Sequence, residues 1–184
     1  MTREEALRLL EEHLRNKNIV KHCLALEVVM RAFAEFYGED PEKWAMAGLL
    51  HDLDYEKTAQ EPQKHGIVTE DILKEKGVDQ KIIDIIQAHN SDVLGTLRDT
   101  KAKKVIYSAD PLTGLIVACA LIRPEKKLTS IDTHFVLNRF KEKSFAAGAS
   151  RGIIQKCEEL DLSLEEFIDI SLKAMQGISK ELRL

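Results

Sequence analysis

The segment Leu49-Leu50-His51-Asp52-Leu53-Asp54 places an adjacent histidine and aspartate at the end of an apolar run. Trp44, Ala47 and Gly48 precede His51 by seven, four and three residues, which is the spacing of one helix face. The helix predicted here therefore turns His51 inward with its apolar stripe. Burying an imidazole beside a carboxylate is costly unless a partner satisfies both, and a bound cation is one such partner. The alternative is a core histidine at a helix end, followed by a solvated acidic loop.

Three further histidines have the same placement, on the apolar faces of predicted helices. Three isoleucines precede His89 by seven, four and three residues, and His22 and His65 lie in apolar stripes of helices predicted at about 19–37 and 65–76. Imidazole nitrogens and carboxylate oxygens together bind first-row divalent metals. Because no cysteine belongs to the set, the pattern favours an open hydrolytic site over a structural zinc site.

Asp110 is the next candidate carboxylate, because Ile106 one turn earlier places it on an apolar side. An aspartate followed by proline is also typical of a helix start, so Asp110 could cap a helix, bind a metal, or do both. The sequence predicts one helix from about 100 to 109 and a second from Asp110-Pro111 to about 123.

Composition predicts an all-α protein. The 184 residues include only four prolines and nine glycines, and no useful run alternates as a strand would. We predict a single domain over 1–184, a helical bundle with a metal-site core at about 19–123. Three C-terminal helices, predicted at about 131–141, 145–159 and 164–182, would complete it.

Charge and cysteine content restrict the partners and the compartment. The net charge of −4 argues against nonspecific nucleic-acid binding. Cys23, Cys119 and Cys157 form no CxxC pair, which predicts reduced thiols in a cytoplasmic protein. The N-terminus lacks a signal-peptide pattern, and the apolar run 112–122 is shorter than the ~18 residues of a membrane span. That run could line a pocket or the face of a homodimer.

The order His22, His51-Asp52, Asp110 on helices of one domain resembles the HD superfamily of metal-dependent phosphohydrolases. His65 and His89 strengthen the resemblance, because branches with a dinuclear centre insert two histidines between the HD pair and the last aspartate. The resemblance implies one or two divalent ions, such as iron, manganese or magnesium. It assigns one ion to His22, His51, Asp52 and Asp110, and a second to Asp52, His65 and His89.

The activity implied by the resemblance is hydrolysis of a phosphate ester by a metal-activated water, with Asp52 as the central catalytic carboxylate. We expect a small phosphorylated metabolite or a nucleotide as substrate, and predict that Lys64, Asn90 and Arg151 contact its phosphate. Tyr55 stands where several members of the superfamily have a lysine. A catalytically inactive HD-fold binding or signalling module is therefore an alternative. A mononuclear-metal phosphatase and a plain helical interaction domain with unrelated core histidines are two others.

Overall fold

The computed structural model describes all 184 residues and contains helices without strands, which confirms the all-α prediction. The α-helices are, in chain order, α1 (Arg3–His13), α2 (Lys17–Tyr37), α3 (Pro41–Leu50), α4 (Tyr55–Thr58), α5 (Ile67–Glu75), α6 (Gln80–Ala88), α7 (Ser91–Leu94), α8 (Lys101–Leu121), α9 (Thr133–Lys141), α10 (Arg151–Ile154), α11 (Leu164–Gly177) and α12 (Ser179–Leu182). Three short 3-10 helices lie at Pro62–Lys64, Leu128–Ser130 and Gln155–Leu160. One buried apolar core draws residues from α1 through to α12.

Several helices start and end where the sequence places capping residues. Thr2 and Ser163 open α1 and α11 with complete capping boxes, in which the hydroxyl and a glutamate three residues later satisfy each other's backbone N–H groups. The Asp40 carboxylate accepts hydrogen bonds from the first turn of α3. Gly38 ends α2 in the left-handed conformation, with φ of +67°.

Helix α2 is the central element, and it packs most extensively against α3, then against α8 and α11. A glycine allows the first of these contacts to be very close. A Cβ atom added at Gly48 would lie 2.6 Å from the carbonyl oxygen of Leu26 on α2. Since α3 ends at Leu50, this approach brings His51 and Asp52 against the side of α2 that carries His22.

Helix α8 contradicts one expectation, because it continues through Asp110-Pro111 where the sequence predicts a break. Proline lacks an N–H group, so the carbonyl of Tyr107 loses its usual helical partner. The residues on both sides of Pro111 are nevertheless buried in the same core, and this packing outweighs the local cost. Asp110 is therefore held at mid-helix instead of at a helix start.

Length and composition alone would allow α8 to cross a membrane. In the fold, however, 61% of its most apolar 18-residue window is buried against other helices. Most of its apolar side chains therefore pack in the core of the fold.

The helix predicted over 145–159 is wrong over its first six residues, whereas residues 151–159 are helical. Residues 142–150 form a loop, in which Ala146 has φ of +46°, and α10 begins only at Arg151. The Arg151 guanidinium donates hydrogen bonds to backbone carbonyls of this loop, including those of Ala146 and Ala149. The bonds to Arg151 replace the helical hydrogen bonds that the small residues would otherwise form.

Smaller differences concern the segments between helices. The predicted loops at 54–64 and 90–99 contain α4 and α7, and the last predicted helix divides into α11 and α12. The helix expected from 65 starts at Ile67, so His65 lies just ahead of α5 instead of on its apolar face.

Candidate metal centre

The fold brings the six predicted metal ligands into one cluster. They are His22 on α2, His51 and Asp52 after α3, His65 before α5, His89 after α6 and Asp110 within α8. Five separate segments therefore contribute to the cluster, although no two of its histidines are closer than fourteen positions in sequence.

The first group of ligand atoms has the spacing expected around one ion. The Nε2 atom of His22 lies 2.9 Å from Oδ1 of Asp110 and 3.2 Å from Nε2 of His51. The Nε2 atom of His51 lies 3.5 Å from Oδ2 of Asp52 and 3.8 Å from Oδ1 of Asp110. Two ligands that are each about 2.1 Å from a common ion lie about 3–4.2 Å apart. These four side chains therefore fit a single divalent cation.

A second group meets the other oxygen of the same aspartate. Oδ1 of Asp52 lies 3.2 Å from Nε2 of His65 and 4.0 Å from Nε2 of His89, and the two nitrogens are 2.8 Å apart. Two neutral imidazole nitrogens at that distance repel each other unless a proton or a cation lies between them. Asp52 therefore directs one oxygen to each group, which is the arrangement of a carboxylate that bridges two ions.

Backbone carbonyls fix the orientation of the two deepest imidazoles. Nδ1 of His51 donates to the carbonyl oxygen of Gly48 at 2.9 Å, and Nδ1 of His89 donates to that of Ile86 at 2.5 Å. Because a carbonyl can only accept, the proton of each neutral ring is held at Nδ1. The lone pair of each Nε2 atom consequently faces the cluster.

Side chains orient the other two imidazoles. The Thr113 hydroxyl donates to the carbonyl oxygen of Asp110 at 2.8 Å, which leaves its oxygen free to accept from Nδ1 of His22 at 2.9 Å. Nδ1 of His65 lies 2.8 Å from Oδ1 of Asp54 and donates to it. All four Nε2 atoms therefore face the cluster, where they could bind a metal ion.

Asp54 was not recognised from the sequence, which suggests only a solvated polar loop at this point. Its side chain is fully buried, and its Oδ2 atom accepts from the backbone N–H groups of Gly66 and Thr69 at 2.9 Å each. Burial acts to raise the pKa of Asp54, but the bonds to His65 and to these amides lower it below its usual value. No pattern around Asp54 signals this role, because its partners lie eleven to fifteen residues further on.

The carboxylates and imidazoles of the cluster shift one another's pKa values. Burial lowers the pKa of His51 to about 4. Burial also acts to lower the pKa of His22 and His65, but the adjacent aspartates outweigh it and raise these values to about 9 and about 10. Burial acts to raise the pKa of Asp52 and Asp110, and the neighbouring histidines nevertheless hold both below the usual range.

The cluster is buried on one side, which we call the floor, and accessible to solvent on the other side, which we call the rim. The side chains of His51 and His89 are 0% and 3% exposed, whereas those of His22, His65 and Asp110 are 23%, 17% and 26% exposed. A ligand from solvent can therefore reach the cluster along the side formed by the last three residues.

The three residues predicted to bind substrate phosphate have other partners in the structure. Lys64 is exposed and pairs with Glu61 at 2.5 Å. The Asn90 amide donates to the carbonyl oxygen of His65, so it positions the chain beside a cluster histidine. Arg151 binds backbone carbonyls of the 142–149 loop instead of reaching the cluster. A substrate contact by any of the three remains a prediction.

Two residues near the rim are relevant to the lysine that several superfamily members have. Tyr55 occupies that sequence position, and its ring centroid lies 6.0 Å from that of His65. Lys21 precedes His22 and is half-buried beside it in a surface cavity. The sequence analysis did not single out Lys21.

Sequence comparison finds relatives that match about half of this chain. The chain is 35% identical over 91 residues to an uncharacterized protein of Methanocaldococcus jannaschii, a match that covers 47% of this chain and 52% of that protein. It is 28% identical over 99 residues to ribonuclease Y of Nitratidesulfovibrio vulgaris, covering 54% of this chain and 18% of the relative. The chain thus matches about half of the first relative's length and under a fifth of the second's. No solved structure matches it.

The family model of the HD domain matches residues 19–115. This range contains all six cluster residues, as well as Asp54 and Thr113. HD domains bind divalent metals and form a superfamily of metal-dependent phosphohydrolases, in agreement with the His and Asp groups that the fold assembles here. The chain therefore belongs to the HD domain family.

Proposed function

We propose that the protein is a metal-dependent phosphohydrolase that cleaves a phosphate ester of a small metabolite or a nucleotide. The observation that carries this proposal is the position of Asp52, whose two oxygens face two separate groups of imidazole nitrogens. Divalent cations held there would polarise the phosphoryl oxygens and lower the pKa of a bound water. We assign Asp52 as the catalytic carboxylate because it is the residue common to both groups.

The buried and the solvent-accessible residues of the cluster would have different roles. His51 and His89 form the buried floor, and their carbonyl partners keep the Nε2 lone pairs directed at the cations. His22, His65 and Asp110 lie at the rim, where the substrate phosphate would enter. Burial of the floor excludes water from behind the cluster, which strengthens the electrostatic attraction between cations and phosphate.

The net charge favours a small ester over a nucleic acid. Ribonuclease Y acts on RNA according to its name, but the match covers 18% of that protein, and this chain carries a net charge of −4. We further propose a cytoplasmic location, because Cys23, Cys119 and Cys157 are all buried and unpaired, as is usual in a reducing compartment.

The proposal is tested by measuring metal content and hydrolysis of phosphate monoesters in the presence of Mn²⁺ for the wild-type protein and two variants. Asp52→Ala should lose both the metal and the turnover. His134→Ala should retain both, because His134 is exposed on α9 away from the cluster. An Asp52→Ala variant that hydrolyses at the wild-type rate would contradict the proposal. A wild-type protein that binds metal but turns over no phosphate ester would favour the catalytically inactive HD module.

A further inference from the structure

Two helix faces that carry cluster ligands continue away from the cluster as the walls of a groove. On α2, residues 18, 21, 22 and 25 are spaced by three or four and share one face, and on α8 residues 110, 114, 117 and 121 do the same. Asp110 thus stands at the start of the α8 stripe, and His22 lies within the α2 stripe, with Ala25 one turn further along the helix. We refer to this feature as the α2–α8 groove.

The groove is made of two cavities that meet beside the cluster. One has a volume of about 300 Å³ and is lined by His22, Asp110 and the 146–149 loop. The other has a volume of about 350 Å³ and extends along α2 and α8 to Leu121. Both cavities include His22 and Gly114, and a Cβ atom at Gly114 would meet no atom within 4 Å. The missing side chain of Gly114 therefore leaves a passage between them.

Aliphatic side chains make up half of the residues that line the larger cavity, and Asn18 and Thr113 are among the polar remainder. Ala25, Val117 and Leu121 come from the two helix faces, and Leu182 and Leu184 contribute from the C-terminal segment. No phenylalanine, tyrosine or tryptophan lines this cavity, so a nucleobase would find no aromatic ring to stack on. From Gly114 to Leu121 the groove follows about 10 Å of helix. These dimensions and this lining suit a flexible aliphatic chain.

The positive charge of Lys21 indicates which end of such a ligand would lie near the cluster. Lys21 lies on the groove face of α2, next to His22, and forms no ion pair with a carboxylate. Lys21 therefore adds a positive charge to the lining of this cavity, next in sequence to His22. An anionic head near the cluster and an apolar tail toward Leu121 would satisfy both ends of the groove.

We propose that the α2–α8 groove binds the alcohol part of the substrate, and that this part is an aliphatic chain. The preferred ligands would be alkyl phosphate monoesters, with phosphate at the His22–Asp110 end and the chain over Gly114 toward Leu121. This inference rests on the proposed phosphohydrolase function for the position of the phosphate. The apolar recognition itself depends only on the groove residues.

Binding of non-hydrolysable alkylphosphonates to the Mn²⁺-loaded protein tests the groove without relying on activity. Isothermal titration calorimetry would compare ethyl-, butyl- and hexylphosphonate with a nucleoside 5′-phosphonate. Each fully buried methylene is worth about fourfold in affinity. Since the groove is open on one side, we expect hexylphosphonate to bind at least about tenfold more tightly than ethylphosphonate, and more tightly than the nucleoside compound.

A variant that fills the passage distinguishes binding in the groove from nonspecific hydrophobic binding elsewhere on the protein. Gly114→Leu places a side chain in open space within the groove, and Gly177→Leu does the same at an exposed helical glycine outside it. Gly114→Leu should reduce the advantage of hexyl- over ethylphosphonate to less than about threefold, whereas Gly177→Leu should retain it. Metal content measured for both variants ensures that the cluster is intact.

The inference is overturned if affinity is independent of chain length, if the nucleoside compound binds best, or if Gly114→Leu retains the full chain-length effect. These outcomes differ from failure of the proposed function. If binding depends on chain length but no ester is hydrolysed, the groove proposal is supported and the phosphohydrolase proposal is contradicted. If esters are hydrolysed but binding does not depend on chain length, the phosphohydrolase proposal is supported and the groove proposal is contradicted.

Discussion

Replacement of Asp54 by asparagine should weaken metal binding at the His65–His89 side of the cluster. The carboxylate of Asp54 accepts one hydrogen bond from Nδ1 of His65 and two from backbone amides, and it is fully buried. An amide retains only one acceptor oxygen, so at least one of these donors loses its partner. A buried hydrogen bond to a charged group contributes about 1.5–3 kcal/mol.

The expected loss of metal affinity follows from this energy. A free-energy change of about 1.5–3 kcal/mol corresponds to roughly 10- to 150-fold, which overlaps the 10- to 100-fold typical of residues that orient a metal ligand. Calorimetric titration of metal-free protein with Mn²⁺ would measure this change. Thr113→Val is the matched variant on the other side, since it removes the neutral hydroxyl that accepts from His22. It should weaken the His22–Asp110 side about fivefold.

The two variants should therefore affect different binding events. The reasoning is refuted if Asp54→Asn binds Mn²⁺ with wild-type affinity and stoichiometry, or if both variants weaken the same event equally. Thermal unfolding of the metal-free variants would show whether either change acts through the stability of the fold.

Three further predictions concern packing, protonation and the 142–149 loop. Gly48→Ala should lower the free energy of unfolding by about 1–3 kcal/mol in urea titrations, because its Cβ would lie 2.6 Å from a backbone oxygen of α2, while Gly177→Ala should stabilise slightly. In metal-free protein, the pKa values of His22 and His65 are raised in the folded state to about 9 and about 10, so their protonation should stabilise the fold. This contribution to the free energy of unfolding should be complete below about pH 6.5 and should disappear as the pH rises through about 9 to 10. Urea titrations at several pH values would measure it. Arg151→Gln should destabilise the protein by about 2–3 kcal/mol and expose the loop to proteases, with metal content unchanged, because its guanidinium binds loop carbonyls.

The cluster could be predicted from sequence wherever local periodicity determines which way a side chain faces. The spacing of apolar residues before His51 and His89 predicts their inward orientation, and both are buried in the structure. His65 also reaches the cluster, but it does so through Asp54 and not through the apolar stripe that suggested it. In that case a correct position was predicted for an incorrect reason.

The errors arise where packing or side-chain hydrogen bonds override the local preference of the backbone. Pro111 predicts a helix start, yet the continuous buried faces of α8 retain it inside one helix. The residues before Arg151 have a composition that favours helix. The Arg151 guanidinium nevertheless donates hydrogen bonds to their backbone carbonyls, and these bonds stabilise a loop. Neither Arg151 nor Asp54 reveals its partners through a regular spacing, because those partners lie from two to fifteen residues away in the sequence.

The central claim is that one aspartate joins two groups of histidines into a dinuclear centre. The most direct test is the metal content per chain of protein that is purified without chelator and without air. We predict close to two divalent ions per wild-type chain, and a loss of both when Asp52 is replaced by alanine. A wild-type protein that takes up no metal, even after reconstitution with Mn²⁺ or Fe²⁺, would contradict the account.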